Sequence, residues 1–214
     1  MDGVIIDSNT AIETFWKQWA TKESLVFTDH TAIQYIHGRT TIETINELFK
    51  KSANKVKEQI LKSAIDFDMN MRPGLIGGVD LFLKKIVAYS DKIALVTSAP
   101  KERAKKMLKL NDVDKYFTYT VTGDEVTKGK PDPEPYLKAA DKMNIDPGEC
   151  LVFEDSNNGI ISAVAAGMNV IAVNNFEMKN EKIITIIKDY CTLQVEDNLM
   201  LIDGKPINIE LAGQ

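Results

Sequence analysis

From Pro73 onward, short apolar runs alternate with amphipathic helical stretches, and this rhythm leaves few architectures open. Residues 92–98 (KIALVTS) read as a compact apolar strand, followed by a helical Lys101–Leu110. Residues 116–121 are β-rich, and Glu134–Met143 is helical. A short buried strand at 151–153, a helix at 158–166 and a strand at Asn169–Val173 continue the pattern. Strands apolar on both faces and separated by helices predict a parallel sheet covered on both sides. The last stretch predicts a hairpin, from Asn198 to Ile202 and from Ile207 to Leu211, about an Asp203-Gly204 turn.

Ahead of this region, residues 9 to 70 read as helices only. Ile12, Phe15, Trp16 and Trp19 recur at helical spacing, as do Ile42, Ile45, Leu48 and Phe49, and then Val56, Ile60, Leu61 and Ala64. Thr40 or Thr41 is suited to cap the second of these stretches, with Glu43 in its first turn. Pro73-Gly74 ends the helical zone, since neither residue suits a helix interior. The expected fold class is therefore α/β: a Rossmann-like parallel-sheet core from residues 1–8 and 73–214, with an inserted four-helix cap at 9–72.

A net charge of −5 argues against nucleic acid as a partner, and no apolar run approaches the ~20 residues of a membrane span. Met1-Asp2-Gly3 places an acid where a signal peptide carries basic residues. Cys150 and Cys191 lie outside any CxxC spacing, and Cys150 opens the run Cys150-Leu151-Val152-Phe153, which predicts a buried, reduced thiol. The expectation is a cytoplasmic protein, a monomer or weak dimer.

Four polar clusters stand at strand ends, in order. Asp2-Gly3-Val4-Ile5-Ile6-Asp7-Ser8 comes first, and Thr97-Ser98 closes the strand at 92–98. Gly129-Lys130-Pro131-Asp132-Pro133 precedes a helix, and Glu154-Asp155 ends the strand at 151–153. Together they resemble the four signature motifs of the haloacid dehalogenase superfamily: DxDGxxxDS, a Ser or Thr after an apolar strand, a Lys, and an acidic pair. The resemblance spans essentially the whole chain.

That resemblance implies phosphate-ester hydrolysis with Mg²⁺ through an aspartyl-phosphate. Asp155, aided by Glu154 and the backbone carbonyl of Asp2, is implied to hold the metal. Lys130 would lie against the phosphate oxygens, with the Thr97 hydroxyl and Ser98 beside them. Asp2 would protonate the leaving alcohol and then activate water. The physics agrees, because a carboxylate attacks a phosphate dianion only where positive charge offsets the repulsion. Each residue also has a plainer role open to it. Asp155 can cap the helix near Asn157, Lys130 can be a solvated loop lysine, and Thr97 can close its strand by a local backbone bond. Asp7 with Ser8 is expected to cap the first helix.

The chain departs from the family pattern at its first residue. Met1 stands at the x of Asp-x-Asp-Gly, so the nucleophilic Asp and the apolar strand before it are missing. The chain as given is expected to be catalytically inactive, whether through a start chosen too late, a truncation or a natural loss. Backbone groups beside the missing strand are expected to lack partners.

The helical region narrows the substrate. Residues 11–19 (AIETFWKQW), 35–45 (YIHGRTTIETI) and 129–137 (GKPDPEPYL) resemble the sugar and glycerol phosphatases of the superfamily. A small phosphorylated sugar or polyol is the implied substrate, with His37 and Arg39 facing it. Alternatively, His37-Gly38 forms a plain turn and Arg39 is solvated. A β-phosphoglucomutase-type activity is the second possibility, although the mutases place a histidine where this chain has Ile12. A non-catalytic phosphate-binding remnant is the third. Glu13 and Glu43 are expected on solvated helix faces, and Trp16 and Trp19 in the core of the helical region.

Overall fold

The structure, a computed structural model, describes residues 1–196 and 199–210. Four helices come first: α1 (Asn9–Lys22), α2 (Asp29–Tyr35), α3 (Thr41–Leu48) and α4 (Asn54–Asn70). Their apolar faces meet in one cluster that includes Trp16, Ile45, Phe49 and Ile60, with Trp19 packed at its margin. Phe15 stacks on Phe67 at 4.7 Å between ring centroids, which ties α1 to α4. α3 begins with a reciprocal capping box: the Thr40 hydroxyl accepts from the Glu43 N–H, and the Glu43 carboxylate accepts from the Thr40 N–H. Glu43 is thus a capping residue rather than a solvated face. Ser8 corrects a second expectation. It sits at the N-cap of α1, but its hydroxyl donates to Asp2 Oδ1 at 2.5 Å and makes no cap bond. Asp7 is exposed.

Strands and helices then alternate: α5 (Val79–Ile86), β1 (Ala94–Val96), α6 (Lys101–Leu110), β2 (Tyr119–Val121), α7 (Glu134–Met143), β3 (Leu151–Glu154), α8 (Asn157–Ala165), β4 (Asn169–Val173) and β5 (Ile183–Ile187). β1 pairs in parallel with β2, and β3, β4 and β5 form a parallel trio. β1 and β3 are not bonded to each other. Between them lies a cavity of about 630 Å³, lined without a break by 92–96 on one side and 149–153 on the other, with Met1 at its margin. The parallel sheet is therefore split into two parts around an apolar groove.

A three-stranded antiparallel meander follows, β6 (Leu193–Glu196), β7 (Leu199–Ile202) and β8 (Lys205–Glu210). β7 and β8 turn about Asp203-Gly204, both at positive φ (51° and 72°), as a tight hairpin requires. The expected hairpin ends at Asn198 and Leu211 lie outside the described residues. Cys150 is half-buried and Cys191 exposed, so the expectation of a fully buried Cys150 is corrected. Among the described residues, no helix is long and apolar enough to cross a membrane.

Candidate active site

The carboxyl ends of β1 and β3, the 129–133 loop, the N-terminal turn and the loop from α2 to α3 converge on one cavity of about 100 Å³. Every site residue expected from sequence borders it: Asp2, His37, Arg39, Thr97, Ser98, Lys130, Glu154 and Asp155. What differs from residue to residue is the engagement of each side chain.

Lys130 is no solvated loop residue. It is 3% exposed, and its Nζ pairs with the Glu154 carboxylate and donates to Tyr136 Oη at 3.1 Å. Glu154 also accepts from Tyr136 Oη at 2.7 Å, from the N–H groups of Asp155 and Ser156, and from Ser156 Oγ. Burial alone would raise its pKa, but Lys130 and the other donors outweigh that and hold it at about 2. Glu154 is thus the fixed counter-charge of Lys130, with both oxygens committed. Tyr136 stays a neutral phenol, its pKa pushed well up by burial and by Glu154.

Asp155 is different. Its Oδ2 accepts from Asn9 Nδ2 at 2.7 Å, and burial, then the neighbouring Glu154 charge, raise its pKa to about 6. The helix cap that it could have supplied comes from Ser156, whose Oγ accepts from the Gly159 N–H. Gly3, at φ +65°, lets the N-terminal turn close over this carboxylate: an added Cβ would lie 1.9 Å from Asp155 Oδ2.

Thr97 is buried, and its Oγ1 accepts from the Ala99 N–H at 3.2 Å, the local bond considered for it. Ser98 Oγ donates to the Gly38 carbonyl at 2.7 Å, and Asn158 Nδ2 to the His37 carbonyl at 2.8 Å. The loop after β1 and the first turn of α8 therefore grip consecutive carbonyls of the α2–α3 loop. His37 Nε2 lies 2.7 Å from Glu13 Oε1, so Glu13 is a partner of His37 and not merely a solvated face. Arg39 borders the cavity, and its buried Nε has no hydrogen-bond partner among the described residues.

Gly38 makes this docking possible. It has φ +76°, and a Cβ there would stand 2.5 Å from Ser156 Oγ. Gly38→Ala is expected to cost about 1–2 kcal/mol of stability from backbone strain. In a chain extended ahead of Met1 by a strand ending in Asp, it should also raise KM about tenfold while kcat changes less, because the loop at 37–40 is displaced and not Lys130 or Asp155. Thermal melts and steady-state kinetics check both numbers.

Several residues here gave little signal in sequence. Arg103 sits in the lysine-rich α6, yet Ala104, Met107 and Leu108 are buried with it, and the 103/107 spacing puts it on that apolar face. Its Nη1 and Nη2 donate to Asp2 Oδ2 and Oδ1, each at 2.6 Å, and its Nε donates to Asp68 Oδ1 at 2.7 Å. Burial raises the pKa of Asp2, but the Arg103 charge and its hydrogen bonds prevail and bring it to about 2. Asn9, Tyr136 and Asn158 were likewise unmarked in sequence: Asn9 and Asn158 each act through one hydrogen bond to a chain segment far away, and Tyr136 through two, from Lys130 and to Glu154.

Among the described residues, no three His, Cys, Asp or Glu side chains converge as a ready-made metal cage. A hard, oxygen-seeking cation nonetheless suits Asp155, a buried carboxylate beside the acidic Glu154 whose side-chain hydrogen bond comes from the neutral amide of Asn9. It does not suit Glu154, whose oxygens serve Lys130 and its neighbours.

The model of a family described as "Haloacid dehalogenase-like hydrolase" matches residues 1–173. The phosphorylated carbohydrates phosphatase of Thermotoga maritima is 30% identical over 182 residues, 80% of this chain and 81% of that one. Hexitol phosphatase A of Escherichia coli is 30% identical over 178 residues, 81% of this chain and 80% of that one. A solved structure described as a candidate beta-phosphoglucomutase, also from Thermotoga maritima, is 26% identical and covers 88% of this chain and 91% of its own, with a TM-score of 0.61.

Proposed function

The chain belongs to the haloacid dehalogenase-like hydrolase family, and from that premise we propose that it is built to hydrolyse phosphate monoesters of small sugars or polyols with Mg²⁺. The observation that carries this reading is the buried Lys130, paired with Glu154, in the same cavity as the buried carboxylate of Asp155, whose pKa stays raised to about 6. One fixed cation and one site for a second are what a phosphate dianion needs before a nucleophile can approach it. The two named phosphatases act on phosphorylated carbohydrates and a hexitol phosphate, and Arg39 offers a free N–H to a substrate hydroxyl.

In this account Lys130 and Thr97 receive the phosphate oxygens, with the backbone after β1 beside them. The acid and base role expected of Asp2 requires its carboxylate to leave the Arg103 bridge, which in this arrangement holds it ionised at a pKa of about 2. The loop from His37 to Thr40, gripped by Ser98 and Asn158, covers the cavity and excludes bulk water. Mg²⁺ held by Asp155 would supply the charge that lets a carboxylate meet the dianion. The attacking carboxylate belongs at the end of a strand seated in the groove between β1 and β3. Among the described residues bordering the cavity, the carboxylates of Asp2 and Asp68 pair with Arg103, that of Glu154 pairs with Lys130, and that of Asp155 is assigned to the cation. Ile12 borders the cavity where the mutases carry their histidine, which favours hydrolysis over phosphoryl exchange.

Magnesium provides the test within the chain as it stands. Because the folded pKa of Asp155, about 6, is raised above the ordinary value of about 4, its contribution to stability is full below about pH 4 and lost as pH rises through about 6. A cation that binds the ionised form offsets this loss only above that range. Mg²⁺ is therefore expected to raise Tm more at pH 8 than at pH 5, and Asp155→Asn should abolish the difference. An equal Mg²⁺ effect in Asp155→Asn would remove this residue from the metal site.

A further inference from the structure

We propose that Arg103 is a positioning residue that ties the carboxylate of Asp2 to the end of α4. Its buried guanidinium offers a two-toothed bridge to Asp2, and its remaining Nε–H is held by Asp68 in the last turn of α4. α6 grips the same end of α4 a second time, where Lys106 Nζ donates to the carbonyls of Asp68 and Met69. α4 is the segment through which the chain returns from the helical cluster to the sheet. Both Asp2 oxygens are aimed by the guanidinium, and the guanidinium is aimed by α4. Displacement of α4 therefore reaches Asp2 through one rigid planar group. A lysine cannot make the same tie, since a single ammonium does not present two parallel N–H groups to one carboxylate and a third to another.

The inference rests on Asp2 acting as the acid and base of the proposed hydrolysis, and its test separates the two ideas. Asp68→Ala frees the guanidinium from α4 and leaves its bridge to Asp2 intact. In the chain as it stands, the amides of residues 3–8 should then exchange hydrogen about fivefold faster. Asp68→Asn, which keeps an oxygen to accept from Nε, should restore most of the protection. In the chain extended by a strand ending in Asp, Asp68→Ala should lower kcat about tenfold with KM within about twofold. Unchanged exchange in Asp68→Ala overturns the tie whatever the turnover. Faster exchange with an unchanged kcat overturns the positioning role. If the extended parent releases no phosphate, the hydrolase reading falls by itself and the exchange result still decides whether α4 holds Asp2.

Discussion

An apolar strand of about five residues ending in Asp, joined directly ahead of Met1, is expected to raise Tm by about 10 °C. The groove between β1 and β3 is the reason. Both strands line it along their length, and it is bounded by buried apolar residues such as Leu95, Val79 and Phe82. Their groove-facing N–H and C=O groups gain partners when a parallel strand enters. Each such hydrogen bond contributes about 1 kcal/mol net, and each large apolar side chain that becomes buried about 1.5–3 kcal/mol. Ordering the new residues costs about 1–2 kcal/mol apiece for the backbone. A net gain of about 3–5 kcal/mol remains, which a protein of this size registers as roughly 10 °C. The two halves of the sheet should also unfold together. An unchanged Tm, or two separate transitions in the extended protein, would speak against a strand in the groove.

Lys130→Met carries the second large effect. Lys130 is the cation that balances Glu154 deep beneath the cavity. Its removal leaves Glu154 buried with only neutral donors, a loss of about 3–5 kcal/mol when one partner of a buried pair is deleted. Glu154→Gln in the same chain should recover part of that stability, since the orphaned charge goes with it. Activity should not return, because no cation then faces the phosphate oxygens. In the strand-extended protein the single substitution is expected to lower kcat/KM by about 10³ or more. Recovery of stability without recovery of activity separates the two roles of Lys130. Full activity in the double variant would contradict its place against the phosphate.

The parallel-sheet core was legible in sequence because its strands are continuous apolar runs bounded by turns. Lys101–Leu110, Glu134–Met143 and Asn169–Val173 stand where their patterns place them. α5 and β5 were less visible. α5 has eight residues behind the Gly77-Gly78 turn, and β5 is a five-residue run between charged flanks. At the cavity, residue type and order pointed to Lys130 and Asp155, since Asp155 directly follows β3 and Lys130 stands in the Gly- and Pro-marked loop ahead of α7. Sequence order could not divide labour within the acidic pair. Glu154 and Asp155 are neighbours in the chain, and only the positions of Lys130 and Tyr136 decide which one is neutralised. Arg103 and Asp68 are 35 residues apart, and nothing local in either segment announces a bridge through Asp2.

The most direct test of the central claim is phosphate release by the strand-extended protein. Glycerol phosphate, a hexitol phosphate, 2-deoxyglucose 6-phosphate and β-glucose 1-phosphate serve as substrates, each with and without Mg²⁺. The account predicts Mg²⁺-dependent release from one or more of these esters, lost in Asp155→Asn. A folded, phosphate-binding protein that releases nothing from any of them would contradict it, as would conversion of β-glucose 1-phosphate to the 6-phosphate in place of hydrolysis.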